Sequence, residues 1–587
     1  MNPHLFPFLA LLFSLSYAQA QPFVTPYEQS GRTHSATYAQ ALAYYEALAE
    51  TYPEVQVIEY GLSDVGKPLQ LVVLSGSGEF DPEKVKAEGK RVLFINNAIH
   101  PGESCGVDAC MMLARDLLKQ PELKSLLEEV VLCMVPVYNV GGSLNRSCCT
   151  RANQVGPAEQ GFRGNAQNLD LNRDFVKCDS KNALTFTRMF QTWLPDAFID
   201  THTTNGADYP AHLTYIPTLA SKAPPALAAY LQEQMIPDIQ AHMATQEIPI
   251  SPYVYSMGRT PDEGLMGFID HPRYSSGYAN LFSCLSFITE AHMLKSFEQR
   301  VTATYQFILG SLHHLHAHSA EIGELIAASR QQIARQAEHV LTWELDTSRQ
   351  EQLLFDGYEA RFETSKVTGL SIWHYDRSAP YQKEIPYFPH YRPIQKVKKP
   401  RAYLLPQAYD EVIERLQANG VKMQEISRDT VLTVEASYIS SFKSRNRPYE
   451  GHFYHDEVKT RREQVEMRFY AGDKVIFTDQ PANAYLVQVL EPEGHDSFFR
   501  WGFFDGILMQ KEYFSSYLFE EEALRMLEAD PELKAEFEAK KAAEPSFAQN
   551  GWRMLYFLYQ RSPYFEPTYL RYPVGRWQGK RENLPIK

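Results

Sequence analysis

His100 and Glu103 stand three positions apart in NNAIHPGESCG, directly after the apolar run Val92–Asn96. An imidazole nitrogen and a carboxylate at that spacing can meet one metal ion, and the pair suits Zn²⁺ with an open coordination position. With 18 His in the chain, roughly one H-x-x-E is expected by chance, so a third ligand from another element is needed. DAFIDTHTTNGADY offers it: Ala197–Asp200 reads as an apolar strand with His202 emerging at its tip, where α/β folds gather functional groups. Asp200 is placed to orient a ligand as a supporting carboxylate. Between these stretches lies RGNAQNLDLNRDF, part of a long polar segment that begins at Tyr138 and has little helix or strand pattern. Its adjacent Asn172 and Arg173 can hold a carboxylate in a forked, charge-assisted geometry. Finally, SCLSFITEAHM places Glu290 at the end of an apolar run, and a carboxylate there needs a partner or a purpose. Activating water beside zinc would be such a purpose.

Elements that alternate along the chain must bring these residues together. From Thr37 to about Ile322, β-rich runs (Leu69–Leu74, Val92–Asn96, Val130–Val137, Ala197–Asp200, Ser283–Thr289) alternate with helical patterns (Gln40–Thr51, Val107–Leu118, Ala183–Trp193, Pro225–Ala244). That pattern predicts an α/β domain with a mixed, mostly parallel sheet flanked by helices. One long helix is expected from about Phe297 to Glu338, then a covering linker to residue 400 that includes IPYFPHYRPIQKVKKP. An additional α+β domain is expected over 401–587, with strands at Lys474–Thr478 and Ala484–Val489 and a helical stretch Glu520–Ala543. It carries no chemistry-bearing motif. Its aromatics Phe498, Phe499, Trp501, Phe503 and Phe504 fit a packed core better than a carbohydrate platform.

Composition narrows the function classes. The 587 residues carry a formal charge of −14, which argues against nucleic acid as a partner, because phosphate neutralisation needs clustered Lys and Arg. Residues 1–20 read as a signal peptide, an apolar run ending in Ala18-Gln19-Ala20, so the protein is expected to be exported to a periplasmic or extracellular location with no membrane span in the mature chain. The seven Cys include no C-x-x-C pair, which speaks against a thiolate zinc site. Cys148, Cys149 and Cys178 are the expected disulfide partners, while Cys110, Cys133 and Cys284 fit buried thiols.

Taken in order, H-x-x-E, Asn-Arg, a strand-end His and a strand-end Glu resemble the zinc metallocarboxypeptidase family, the carboxypeptidase A-like enzymes, over roughly Thr37 to Ile322. The resemblance implies one zinc per chain on His100, Glu103 and His202, with Glu290 as general base and acid. It implies that Asn172 and Arg173 bind the substrate's C-terminal carboxylate, so that the substrate is a peptide or a cell-wall peptide. A further Arg should polarise the scissile carbonyl; Arg151 matches best, and Arg163 is the alternative. The family's mobile Tyr falls on Tyr274 or Tyr278. A specificity pocket is expected from Met257–Asn280, where Asp262, Glu263 and Asp270 leave a basic-residue preference open. Three rivals compete with this reading: an aspartoacylase- or desuccinylase-like zinc deacylase, which also uses a D-L-N-R segment; a non-catalytic binding protein on the same fold; and a serine hydrolase, since Gly102–Gly106 fits G-x-S-x-G with Ser104 as nucleophile. A second histidine cluster, His313 to His318, reads as a partly exposed helix face without an accompanying carboxylate.

Overall fold

The computed structural model describes residues 23–587; the signal peptide expected over 1–20 lies outside the described residues. The first half is built on an eight-stranded sheet of β1 (Val55–Leu62), β2 (Pro68–Leu74), β3 (Arg91–Asn96), β4 (Val130–Val135), β5 (Ala197–Thr204), β6 (Leu213–Pro217), β7 (Ile250–Pro252) and β8 (Leu285–His292). Their order is β1-β2-β4-β3-β5-β8-β6-β7. The central four, β4, β3, β5 and β8, pair in parallel, while β2 against β4 and β6 against β8 are antiparallel. Every residue of β4 and nearly every residue of β3 is buried, which is why both read as unbroken apolar runs: helices cover the faces of a parallel sheet. Those helices include α1 (Tyr38–Thr51), α2 (Cys105–Lys119), α3 (Lys181–Trp193), α4 (Pro225–Tyr230), α5 (Ile236–Thr245), the short α6 (Ser275–Asn280), α7 (Phe297–Ala317) and α8 (Ser319–Arg335).

Several elements depart from the sequence reading. β5 continues to Thr204 and β8 to His292, so His202 and Glu290 sit within strands rather than at their tips. Pairing is the reason: Glu290 faces His202 and His292 faces Thr204 across the ladder, and β6 extends it on the other side. The long helix divides at His318, whose φ of −116° and ψ of 23° end α7, and Glu338 already belongs to a strand. The expected linker is a set of strands: β9 (Glu338–Leu345) pairs with β12 (Tyr391–Lys398), and β10 (Glu351–Thr364) forms a long hairpin with β11 (Ser371–Phe388). The hairpin is rooted where β11 runs parallel to Leu265–Met266 and where Phe355 and Ile385 pack on Tyr209, Ala211 and Leu265.

Beyond it, a second sheet is formed by β13 (Ala402–Leu405), β14 (Gln424–Glu425), β15 (Thr430–Ser444), β16 (His455–Phe469), β17 (Lys474–Phe477) and β18 (Gly575–Trp577). The run Ala484–Val489 is helix (Asn483–Leu490), buried apart from a partly exposed Ala484, because a short, mostly apolar run fits a buried helix as well as a strand. Phe498, Phe499, Trp501 and Phe504 are buried in the core and Phe503 packs against it. Side chains from both halves, such as Phe190 with Leu405, Leu416 and Leu486, belong to one apolar cluster. No described helix is long and apolar enough to cross a membrane.

One buried carboxylate in this scaffold leads to a test. Asp108, in the first turn of α2, is fully buried; its Oδ1 accepts the Ala36 N–H at 3.0 Å, while Oδ2 has no partner. Burial pushes its pKa from 3.8 up to about 7. A carboxyl raised in the fold binds more protons folded than unfolded, so stability falls as pH climbs through that window, by on the order of 4 kcal/mol. In Asp108→Asn this fall should disappear, seen as a flatter denaturant midpoint between acidic and neutral pH. An unchanged difference between the two pH limits would show that the group is ionised at no cost.

Candidate metal centre and active site

The turn after β3 places His100, and the Glu103 N–H donates to its carbonyl at 2.8 Å, a tight turn that folds both side chains to one side. His202 comes from the adjacent β5. Candidate ligand atoms of His100, Glu103 and His202 lie within 4.8 Å of one another, and all three residues are 3% exposed. The tautomers are dictated from behind. His100 Nε2 is 2.9 Å from Asp170 Oδ1 and His202 Nε2 is 2.9 Å from Asp200 Oδ2, leaving both Nδ1 atoms toward Glu103, at 3.3 and 3.2 Å. Asp200 is itself held by Asn96, its ladder partner on β3, at 3.1 Å. His100 Nδ1 is buried with no hydrogen bond. Two imidazole nitrogens and a carboxylate converging with their outer nitrogens on carboxylates fit a zinc ion.

Neighbouring charges override burial at Glu103, His202 and Asp170. Burial alone would raise Glu103, yet Arg151, His100 and His202 hold it well below the usual carboxylate range. Burial likewise opposes protonation of His202, but Asp200 and Glu103 keep its pKa well above the ordinary value. Burial also works against ionised Asp170, which His100, Arg163 and Arg173 nonetheless lower. Glu290 sits beside His202 and is pushed up to about 7, first by burial and then by the negative charge of Glu103, against the pull of His202.

A cavity of about 1440 Å³ collects His100, Glu103, His202 and Glu290 with Arg151, Arg163, Asn172, Arg173 and Tyr274. Arg151 donates to Glu103 Oε1 at 2.6 Å and to the Thr203 carbonyl at 3.1 Å. Its passage explains Gly102, where a Cβ would lie 2.5 Å from the Arg151 Cδ. Arg163 donates to Asp170 at 2.9 Å and reaches Glu103 at 3.4 Å. Asn172 Oδ1 accepts the Ser275 N–H at 3.1 Å, which leaves its amino group as a donor to the cavity. Arg173 stacks on the Tyr274 ring at 4.6 Å.

Other expected residues are elsewhere. Tyr278 is fully buried, its hydroxyl donating to Asn419 at 2.7 Å, so it does not face the cavity. Asp270 is buried against Lys222, Glu263 caps Thr260, and Asp262 is absent from the cavity wall, so none of the three supplies a carboxylate to the cleft. Phe268 and Tyr253 line it instead. Ser104 Oγ is buried without a partner, so no base activates it. Cys148 and Cys149 are joined to each other, whereas Cys178 is a buried free thiol. The second histidine cluster does gain a carboxylate: Asp238 of α5 lies 2.7 Å from His314 Nδ1 and 3.6 Å from His318 Nε2, while the Tyr230 hydroxyl takes His314 Nε2 at 2.8 Å.

Two supporting residues escaped the sequence reading. Asp170 opens the D-L-N-R segment, the one signal the sequence offered, and its tie to His100 appears only in the fold. Glu450, 280 positions away, accepts the Asp170 N–H at 2.8 Å, so the loop carrying Asp170 is braced by the C-terminal half.

The zinc carboxypeptidase family model matches residues 41–204. Carboxypeptidase 2 of Trichophyton tonsurans is 34% identical over 104 residues, 18% of this chain and 19% of that protein. Carboxypeptidase 2 of Trichophyton rubrum is 32% identical over 110 residues, 19% and 20% of the two chains. The chain thus spans about one fifth of the length of the curated relatives it matches. Among solved structures, a metallo-carboxypeptidase from Burkholderia cenocepacia aligns at 18% identity and a TM-score of 0.37, covering 48% of this chain and 70% of that one. Carboxypeptidase A from Helicoverpa armigera aligns at 15% and 0.35, covering 51% and 75%. Residues 41–204, the stretch that the zinc carboxypeptidase family model matches, contain His100, Glu103 and His202.

Proposed function

We propose that this chain is an exported zinc carboxypeptidase that removes C-terminal residues from peptides, cell-wall peptides included. The observation that carries the reading is the placement of Glu290 beside the three candidate ligands in one cavity with Asn172 and Arg173. When held by His100, Glu103 and His202, zinc supplies Lewis acidity, polarising a carbonyl and making water acidic enough to attack at neutral pH. Glu290 is placed to accept a proton from an attacking water on its carboxylate and to pass it to the leaving amine. Arg151 donates to the carbonyl oxygen as charge develops there, with Arg163 beside it on Glu103. Arg173, oriented by Tyr274, and the Asn172 amino group receive a carboxylate one residue beyond the scissile bond. The cavity is larger than the ~300–1,000 Å³ typical of small-molecule sites, which favours a peptide over an N-acyl amino acid. Export rests on the first twenty residues of the sequence.

The test is a digest of a peptide library carrying free or amidated C-termini, followed by mass spectrometry. Only free ends should be trimmed, and Arg173→Ala should lower kcat/KM by roughly 10²-fold, as expected for losing a charge-assisted fork. Equal cleavage of amidated peptides would make the enzyme an endopeptidase; release of N-acyl groups alone would make it a deacylase.

A further inference from the structure

The cavity has a wall that the chemistry above does not use. Trp373, His374 and Tyr375 of β11 line it, and they belong to the hairpin rather than to the eight-stranded sheet. Trp373 and Tyr375 are two residues apart and so project from one face of the strand, with the indole N–H 3.4 Å from the tyrosine hydroxyl. The Arg259 guanidinium sits over the Trp373 ring at 5.0 Å and over Phe362 at 5.2 Å.

The hairpin is also fastened at a defined end of the cleft. Arg377 donates to Asp208 at 2.6 Å and to the Leu294 carbonyl at 3.4 Å. Asp208 and Leu294 lie just beyond the ends of β5 and β8, past His202 and Glu290. Asn172 and Arg173 are tied instead to the Asp170 loop and to Tyr274. With a peptide's terminal carboxylate on Asn172 and Arg173, the chain ahead of the scissile bond has Thr204, Met293 and the hairpin as further wall of the same cavity.

Resting on the carboxypeptidase reading, we propose that Trp373 and Tyr375 form a subsite for an apolar or aromatic side chain in the residues preceding the scissile bond. Aromatic faces reward such a side chain by area and by ring packing, and a rigid pair loses little freedom when it binds. The hairpin is then a specificity element, distinct from the residues that hold the carboxylate.

The experiment compares N-acetylated peptides with one fixed C-terminal residue and Phe, Leu, Gly or Asp at each of the two positions ahead of the scissile bond. Wild type should prefer Phe and Leu at one of these positions. Trp373→Ala should raise KM roughly tenfold for the Phe peptide and at least fivefold less for the Gly peptide, with kcat little changed, while Trp373→Phe restores most of the preference. An equal loss for all peptides, or no loss, overturns the subsite. The same peptides titrated calorimetrically against the Glu290→Gln protein separate the two claims. If wild type trims nothing, the carboxypeptidase reading fails, and the subsite stands or falls on whether Trp373→Ala weakens binding of the Phe peptide there.

Discussion

Glu290→Gln should retain one zinc per chain and lose roughly three orders of magnitude in turnover, within the ~10²–10⁴ that a positioned base contributes. Glutamine has the shape of glutamate and keeps the strand pairing of Glu290 with His202, so the scaffold is undisturbed. What it lacks is a carboxylate able to accept a proton. Glu290 is not among the three converging ligands, so metal content should hold. Elemental analysis of the same preparation used for kinetics reads both quantities at once. Full activity, or inhibition by serine-directed reagents instead of chelators, would return Ser104 to consideration despite its unpartnered hydroxyl.

His202→Ala is expected to lose zinc and turnover together, to below detection for the second. Removing this ring leaves two of the three candidate ligands, takes one of two hydrogen-bonding partners from Asp200, whose other is Asn96, and leaves Glu103 with one imidazole rather than two. A graded series sharpens the assignment. Asp170→Asn and Asp200→Asn act through the rings they hold, and such supporting carboxylates are worth about 10–100-fold in metal affinity. Asp238→Ala, at the other histidine cluster, should leave metal content as it was. Retention of one zinc by His202→Ala, with its loss in Asp238→Ala, would move the site to His314 and His318.

Much of this chemistry is written locally. His100 and Glu103 are close in sequence and share one turn, and the apolar runs that open the strands at Val92, Ala197 and Leu285 mark central strands because strands covered on both faces need not alternate with polar residues. The mixed, mostly parallel α/β class followed from the alternation of those runs with amphipathic helices. No single pattern related His202, Asn172, Arg173 and Glu290; their order did so only through its resemblance to the zinc metallocarboxypeptidases, and the fold gathers them in one cavity.

Tertiary structure decided what periodicity does not encode. A repeat of two or 3.6 residues reports which way a side chain faces from its own element, not which elements become neighbours. Tyr274 and Tyr278 lie on the same short stretch, and packing alone sends one to the cavity and the other to Asn419. The residues 338–398 read as a linker because their strands are half exposed and find partners only in each other and at Leu265–Met266. Glu450 left no local trace at all, since the N–H it accepts belongs to a loop 280 positions earlier. The sequence alone determined the candidate ligand types and the central strands, whose spacing and apolarity are local; chain closure over hundreds of residues determined the braces and walls around them.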